Sequence, residues 1–334
     1  MTPAELSRTV LRSVRGAVAE KELSVPVPER IVMRPPKRAG CGDYASNVAL
    51  QLAKEAGRPA LEIAEILRQR LVGSAGIARV EIAGPGFLNF TLGGGAQTAL
   101  VRHVLADGAR YGEREPEELP VDGRVPGDAR GIVVAEALAR LTRAAGAGRP
   151  EQSPPAPGAA ADLAGIVARL GDDEARWALL RPAARDAVRL PARPVQRAEN
   201  PRFRVQYAYA RTRALMRNAR DLGFVSEPGE VASAGPRSDT AMQASATQAL
   251  ATLLATYPAT VEAAARHAAP DRMVRHLEAT ADAFFRWCEE CPPLPVGECK
   301  PLAVHRARLA LAEATGTVLA NGLRLLGVSA PEYL

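Results

Sequence analysis

The run "VPGDARGIVVAEALARLTRAAG", Val125 to Gly146, has the residue types of a phosphate cradle. A glycine-containing turn leads into a helix with apolar Ile132, Val133, Leu138 and Leu141. Helix N-termini of this kind hold anions because their first N–H groups have no partner within the helix. Two residues work against that chemistry. Asp128 puts a negative charge at the mouth, and Pro126 removes a backbone donor. The residue types alone leave open whether Val125, Gly127 and Asp128 frame a working nucleotide site or the remains of one.

Two further stretches carry residues that can read nucleic acid. In Phe87 to Leu92, strand alternation puts Leu88, Phe90 and Leu92 on one face and Phe87, Asn89 and Thr91 on the other. The first set is purely apolar and should face a core. The second then presents an aromatic ring beside a carboxamide to solvent, where the ring stacks an unpaired base and the amide reads its edge. A helix covering that face would instead make Phe87 ordinary core. In "NPRFRVQYAYARTRALMRNARDLG", a helical wheel gathers Val205, Ala208, Tyr209, Thr212, Leu215, Met216 and Ala219 into a buried stripe. Tyr207 falls opposite, with Arg204 and Arg211 on its side. A tyrosine between two guanidiniums can stack a base and clamp phosphate; the alternative is a solvated basic face.

Cys288, Cys291 and Cys299, with His305 nearby, could be drawn as a zinc site because Cys-x-x-Cys is present. No second Cys-x-x-Cys exists, and a helix through "RWCEEC" would set the pair beside a core. The expectation is therefore no metal and no cofactor.

The elements that must position these residues fall into three regions. Residues 1 to 112 mix helices and strands: an amphipathic helix opens the chain, "RPALEIAEILRQRL" puts Leu61, Ile63, Ile66, Leu67 and Leu71 near one helical face, and "ARVEIAGPGFLNFTL" reads as strand, turn, strand. Residues 113 to 160 start acidic, hold one helix and end in the Pro/Ala/Gly run "GAGRPEQSPPAPGAAA", which reads as a linker. Residues 161 to 334 follow a helical pattern to the end. The fold class expected is an α+β N-terminal domain followed by an all-α helical bundle. At 334 residues the chain is long enough for two cored domains.

A net charge of +6 and a pI near 9.4 favour a polyanionic partner. The excess is arginine, since lysine stands only at 21, 37, 54 and 300, and arginine suits phosphate forks and base stacking. Enrichment in Ala, Arg, Gly and Pro in a GC-rich genome would produce the same bias. No apolar run approaches the ~20 residues of a membrane span. Four cysteines without a disulfide framework fit a reducing compartment, so the expected location is the cytoplasm.

Four runs together resemble the arginyl-tRNA synthetase family. "GDYASNVALQLAK" (42–54) and "VEIAGPGFLNFTL" (80–92) are similar to its N-terminal tRNA-contacting domain; "NPRFRVQYAYAR" (200–211) and "HRARLALAEATGTVLANGLRLLGVSAPEYL" (305–334) are similar to its helical, DALR-type anticodon-binding domain. The opening run resembles the helix that follows the family's His-x-Gly-His signature, whose histidines stabilise phosphate charge as the adenylate forms. Here Val125 stands in place of the first histidine and Asp128 in place of the second. "LGDDEARWALLR" (170–181) is similar to the segment after the second ATP signature, and with no lysine between 54 and 300 a KMSKS-type loop is missing. The resemblance thus implies a paralogue without the catalytic domain, a pseudoenzyme.

On the same resemblance, Phe87 and Asn89 match the aromatic-x-Asn that contacts a D-loop nucleotide, and Tyr207 matches a helix tyrosine near the anticodon loop. Three departures limit the transfer: Arg204 holds a position where tyrosine is common, Cys288 follows "FFRW" where an aromatic is usual, and Leu334 replaces a C-terminal Met. The function implied is tRNA binding without catalysis, the D-loop held by the first domain and the anticodon arm by the second, with neither DNA nor membrane as partner. Two alternatives stand beside it: a tRNA-presenting subunit for a separate ligase or aminoacyl-tRNA-using enzyme, and a regulatory protein-interaction module that has lost RNA binding.

Overall fold

In a computed structural model of the chain, residues 3–34, 36, 42–93, 95–114, 127–146, 156, 158–193, 196–197, 199–231 and 240–334 are described. They form two compact units, Met1–Leu100 and Val101–Leu334.

The first unit is α+β. Leu6, Val10 and Val14 recur every four residues along α1 (Pro3–Ala19) and are fully buried. They pack with Val48, Ala49 and Leu52 of α2 (Val48–Ala56) and with Ile63, Ala64, Leu67 and Leu71 of α3 (Ala60–Leu71). Leu61, expected on the same face of α3, is exposed, because two residues of helix carry it more than half a turn from Ile63; Ala64 fills that position instead.

These helices cover one face of a three-stranded antiparallel sheet ordered β1 (Tyr44–Ser46), β3 (Phe87–Leu92), β2 (Ile77–Ala83). Tyr44 pairs with Phe90 and Val80 with Phe90, so the core face carries Tyr44, Val80, Leu88 and Phe90, in line with the alternation read from the sequence. The turn between β2 and β3 closes at Gly86, whose φ of +130° few side chains adopt; a Cβ there would stand 2.9 Å from that of Ala60 at the start of α3. Asp43, just before β1, extends the pairing of β3: its N–H donates to Phe90 O (2.7 Å), and its Oδ2 accepts from the Leu92 N–H at 2.6 Å. Burial raises the Asp43 pKa, while the Leu92 hydrogen bond pulls the other way. Helix α4 (Gly95–Asp107) follows, and the boundary between the units falls within it.

The second unit is all helical: α5 (Ala129–Ala144), α6 (Ala159–Leu170), α7 (Asp172–Leu180), α8 (Pro201–Asp221), α9 (Thr240–Arg266), α10 (Asp271–Glu290) and α11 (Ala303–Leu326). α10 shows the pattern most plainly, with Met273, Val274, Leu277, Ala281, Phe284 and Trp287 buried at three- and four-residue spacing. α11 passes so close to α10 that a Cβ on Gly322 would stand 2.5 Å from Leu277 Cδ2. α5, the single helix of the expected linker region, is a core member of this unit. Val133, Ala137 and Leu141 are fully buried on it, and Arg140 Nε donates to Leu325 O at 2.9 Å.

α8 is set in place by buried polar contacts. Asn200 caps it, accepting from the Arg202 N–H (3.0 Å), with Pro201 at the first helical position. Arg202 and Glu174 form a buried ion pair at 2.7 Å, to which Asn200 Nδ2 adds a 2.7 Å bond. Gln206 Nε2 donates to Asp173 Oδ2 (2.8 Å) and to Ser329 O (2.9 Å), while Asp173 Oδ1 accepts from the Ser329 N–H (2.8 Å). α7, α8 and the C-terminal segment are thereby tied together.

Candidate nucleic-acid interface

At the mouth of α5, Asp128 has taken the position an anion would occupy. Its Oδ1 accepts from the Gly131 N–H at 2.7 Å, with the extended backbone of an N-cap residue. The neighbouring cation is spent as well: Arg130 donates to the carbonyl oxygens of Pro182 (2.7 Å), Ala183 (2.9 Å) and Asp186 (3.1 Å). The cap takes one of the helix end's N–H groups and offers phosphate a carboxylate. Gly127 is exposed beside it; Val125 and Pro126 lie outside the described residues.

On the sheet, no covering helix buries Phe87, which stays 37% exposed on the face opposite the helical layer. Asn89 does not stand free beside it as expected. It is only 8% exposed, because β3 is the central strand and Asn89 sits between Ala45 on one side and Glu81 on the other. Directly opposed antiparallel residues share a face and shield one another. Glu81 is paired with Arg79 at 2.6 Å, and Arg79 lies opposite Thr91. This face therefore offers one open ring, a recessed carboxamide and an ion pair along its edge.

On α8 the wheel prediction holds for the stripe's centre: Val205, Ala208, Thr212, Met216 and Ala219 are buried, Tyr209 and Leu215 half-buried, and Tyr207 is 42% exposed. Arg204 is not the free flank that the sequence suggested. Arg204 Nε bonds Asp282 Oδ1 at 2.5 Å, and its guanidinium lies 4.8 Å over the Phe285 ring. Arg211 is exposed; burial pushes the Cys288 thiol up to about 12, while Arg211 pulls its pKa down. Tyr207's close partners are rings instead. It stacks on Phe203 (centroids 6.0 Å apart, planes 5° from parallel) and on Phe285 of α10 (5.6 Å, 21°). Phe203, Tyr207 and Phe285 form a ladder with the exposed Tyr207 as its middle ring and the Arg204 guanidinium over Phe285. Phe203, four residues before Tyr207, was within reach of the helix periodicity; Phe285 was not, since only the packing of α10 on α8 brings it there.

Beside this face the chain's end docks on α8. Glu332 pairs with Arg213 at 3.0 Å, Tyr333 lies under the Arg217 guanidinium at 4.2 Å, and Leu334 is exposed. The cysteines do not converge. Cys288 and Cys291 are buried, Cys299 is exposed, and His305 Nδ1 accepts from the Leu302 N–H (3.0 Å) at the start of α11. Among the described residues no group of three or more His, Cys, Asp or Glu is placed to hold a metal ion, and no helix is long and apolar enough to cross a membrane.

The arginyl tRNA synthetase N terminal domain family matches residues 8–92, and the DALR anticodon binding domain family matches residues 205–334. An arginine–tRNA ligase of Frankia alni aligns with the whole chain at 27% identity over 561 positions, covering all of both proteins. One of Paenarthrobacter aurescens is 40% identical over 178 residues, which is 52% of this chain and 30% of that ligase. In fold, the chain is similar to arginyl-tRNA synthetases of Plasmodium falciparum (TM-score 0.65, 9% identity, 99% of each chain) and Thermus thermophilus (0.56, 14%, all of each). Between the two matched domains lie only residues 93–204, and the 334-residue chain is well short of the 561 positions over which it aligns. The chain belongs to the arginyl-tRNA synthetase family, as a shortened member that keeps the N-terminal and DALR domains without the length that holds the catalytic domain in full-length relatives.

Proposed function

We propose that this protein binds tRNA without charging it. The DALR unit takes the anticodon arm on the face of the Phe203–Tyr207–Phe285 ladder, with Arg204 and Arg211 beside it. The N-terminal unit takes the D-loop on the open sheet face, with Phe87 as the stacking ring and Asn89 behind it. The observation that carries the reading is the ladder: three stacked rings with an exposed tyrosine in the middle and a guanidinium over one end, in the domain whose family is named for anticodon binding. Sequence-tolerant recognition of unpaired bases uses such a platform. The non-catalytic half of the reading is supported by the carboxylate cap at the start of α5, which meets phosphate with the wrong sign, and by the chain's short middle.

Fluorescence anisotropy with labelled total tRNA tests the binding. Affinity well above that for an unstructured RNA is expected, with a Tyr207→Ala loss of roughly 1–3 kcal/mol, or about 5- to 150-fold. Equal affinity for both RNAs would remove the proposal. Arginine-dependent pyrophosphate exchange by the purified chain would remove its non-catalytic half.

A further inference from the structure

A cleft of about 940 Å³ lies in the second unit between the end of α7, residues 181–193, 197 and 199–201, and the first turns of α10. That is the size of a ligand pocket. Arg130, through its three bonds to carbonyl oxygens, fixes the start of the segment. Arg189, Arg193 and Arg197 line the cleft; they are exposed, and none forms an ion pair among the described residues. The other basic groups of the lining are neutralised, Arg181 by Glu278 at 2.7 Å and Arg275 by Asp271. Glu174 is likewise taken up by Arg202. Among the described residues, two carboxylates of the lining, Asp186 and Glu199, pair with no arginine, against three guanidiniums without an ion pair, so a positive excess remains. In the wall, Trp177 is 2% exposed and its indole N–H has no acceptor among the described residues. A buried donor without a partner is costly unless something supplies an acceptor.

We infer that this cleft is a phosphate-binding site for an RNA strand, with Arg189, Arg193 and Arg197 as its cationic contacts and the Trp177 N–H as a donor in its wall. Guanidinium forks match phosphate oxygens. What favours RNA over another polyanion is continuity with the ladder. α8 runs from Pro201 in the cleft to Phe203 and Tyr207, and α10 runs from Arg275 and Glu278 in the cleft to Asp282 and Phe285. A polymer with phosphates for the cleft and bases for the rings fits both features at once. The inference extends the tRNA-binding reading and rests on it for the identity of the strand.

The chain has two tryptophans, and Trp287 already donates its indole N–H to Thr247 Oγ1 at 3.1 Å. The two indole signals in a nitrogen–proton correlation spectrum of the full chain, assigned with Trp177→Phe, therefore report on the cleft selectively. Titration with a short single-stranded oligoribonucleotide and with sodium tripolyphosphate should move the Trp177 signal and leave that of Trp287. Arg189→Gln/Arg193→Gln/Arg197→Gln, all at exposed positions, should abolish the shift. The same variant should weaken tRNA binding at least 10-fold and flatten its salt dependence by roughly two in log–log slope. Three results would overturn the inference: a still Trp177 signal, a response to tripolyphosphate but not RNA, or a response to polyglutamate as strong as to RNA. Failure of the two readings is separable. tRNA binding with a silent Trp177 sinks the cleft alone; a responsive cleft in a chain that does not retain tRNA sinks the tRNA reading and leaves a site for single-stranded RNA.

Discussion

At the scale of single residues, Asp128, Phe87 and Asn89 carry the predictions. Asp128 serves its own helix, and a side-chain cap of this kind is worth about 1 kcal/mol. Asp128→Ala should lower the unfolding free energy by about that amount, and Asp128→Asn, which keeps the acceptor, by much less; chemical denaturation of the pair checks it. Equal losses would mean that the cap does not matter. Phe87 and Asn89 were legible as a ring and an amide on one strand face, because alternation needs only the sequence. The recession of Asn89 was not, because it depends on β3 being flanked on both sides. The order of effects follows from it. Phe87→Ala should weaken tRNA binding by roughly 1–3 kcal/mol, and Asn89→Ala by less. Affinity measurements in which Asn89→Ala is the more damaging would show that the amide comes forward on binding.

At the scale of elements, α8 carries the candidate site and the C-terminal anchoring together. Its buried stripe was readable from a period of 3.6, whereas the acidic anchors came from α7, which no local pattern connects to it. Glu174 holds Arg202 in a buried ion pair, and removing one partner of such a pair leaves an uncompensated charge. Glu174→Ala should cost about 3–5 kcal/mol in denaturant unfolding. A loss below 1 kcal/mol would show that α8 is held by its apolar stripe alone. α5 makes the complementary point. Its sequence surroundings, rich in Pro, Ala and Gly, read as linker, yet Val133, Ala137 and Leu141 at four-residue spacing give it a seam that the bundle buries.

At the scale of the whole molecule, stability and binding should respond to solution conditions in definite directions. His276 is buried against Tyr257 (ring centroids 5.9 Å apart), with Nδ1 3.3 Å from Thr260 Oγ1; burial lowers its pKa to about 4. The unfolded chain takes up a proton near pH ~6.5 that the folded one refuses until about pH 4, so stability falls as the pH drops through that window. The full span is worth about 3 kcal/mol. Thermal melts between about pH 6.5 and 5 should show a falling midpoint that His276→Phe flattens; an unchanged slope in the variant would assign the effect elsewhere. The order of an α+β domain before a helical bundle was readable from the change of period along the chain. The pairing of Tyr207 with Phe285 and the arginine cleft were not, since both arise from helices that meet only in three dimensions.

The central proposal is that the chain holds tRNA at two places, one on each unit, without charging it. Nuclease footprinting of tRNA on the 334-residue chain tests it most directly. Protection of the D-loop and of the anticodon arm in the same complex is predicted, with Phe87→Ala exposing the first and Tyr207→Ala the second. No protection, or protection confined to the acceptor end, would contradict it.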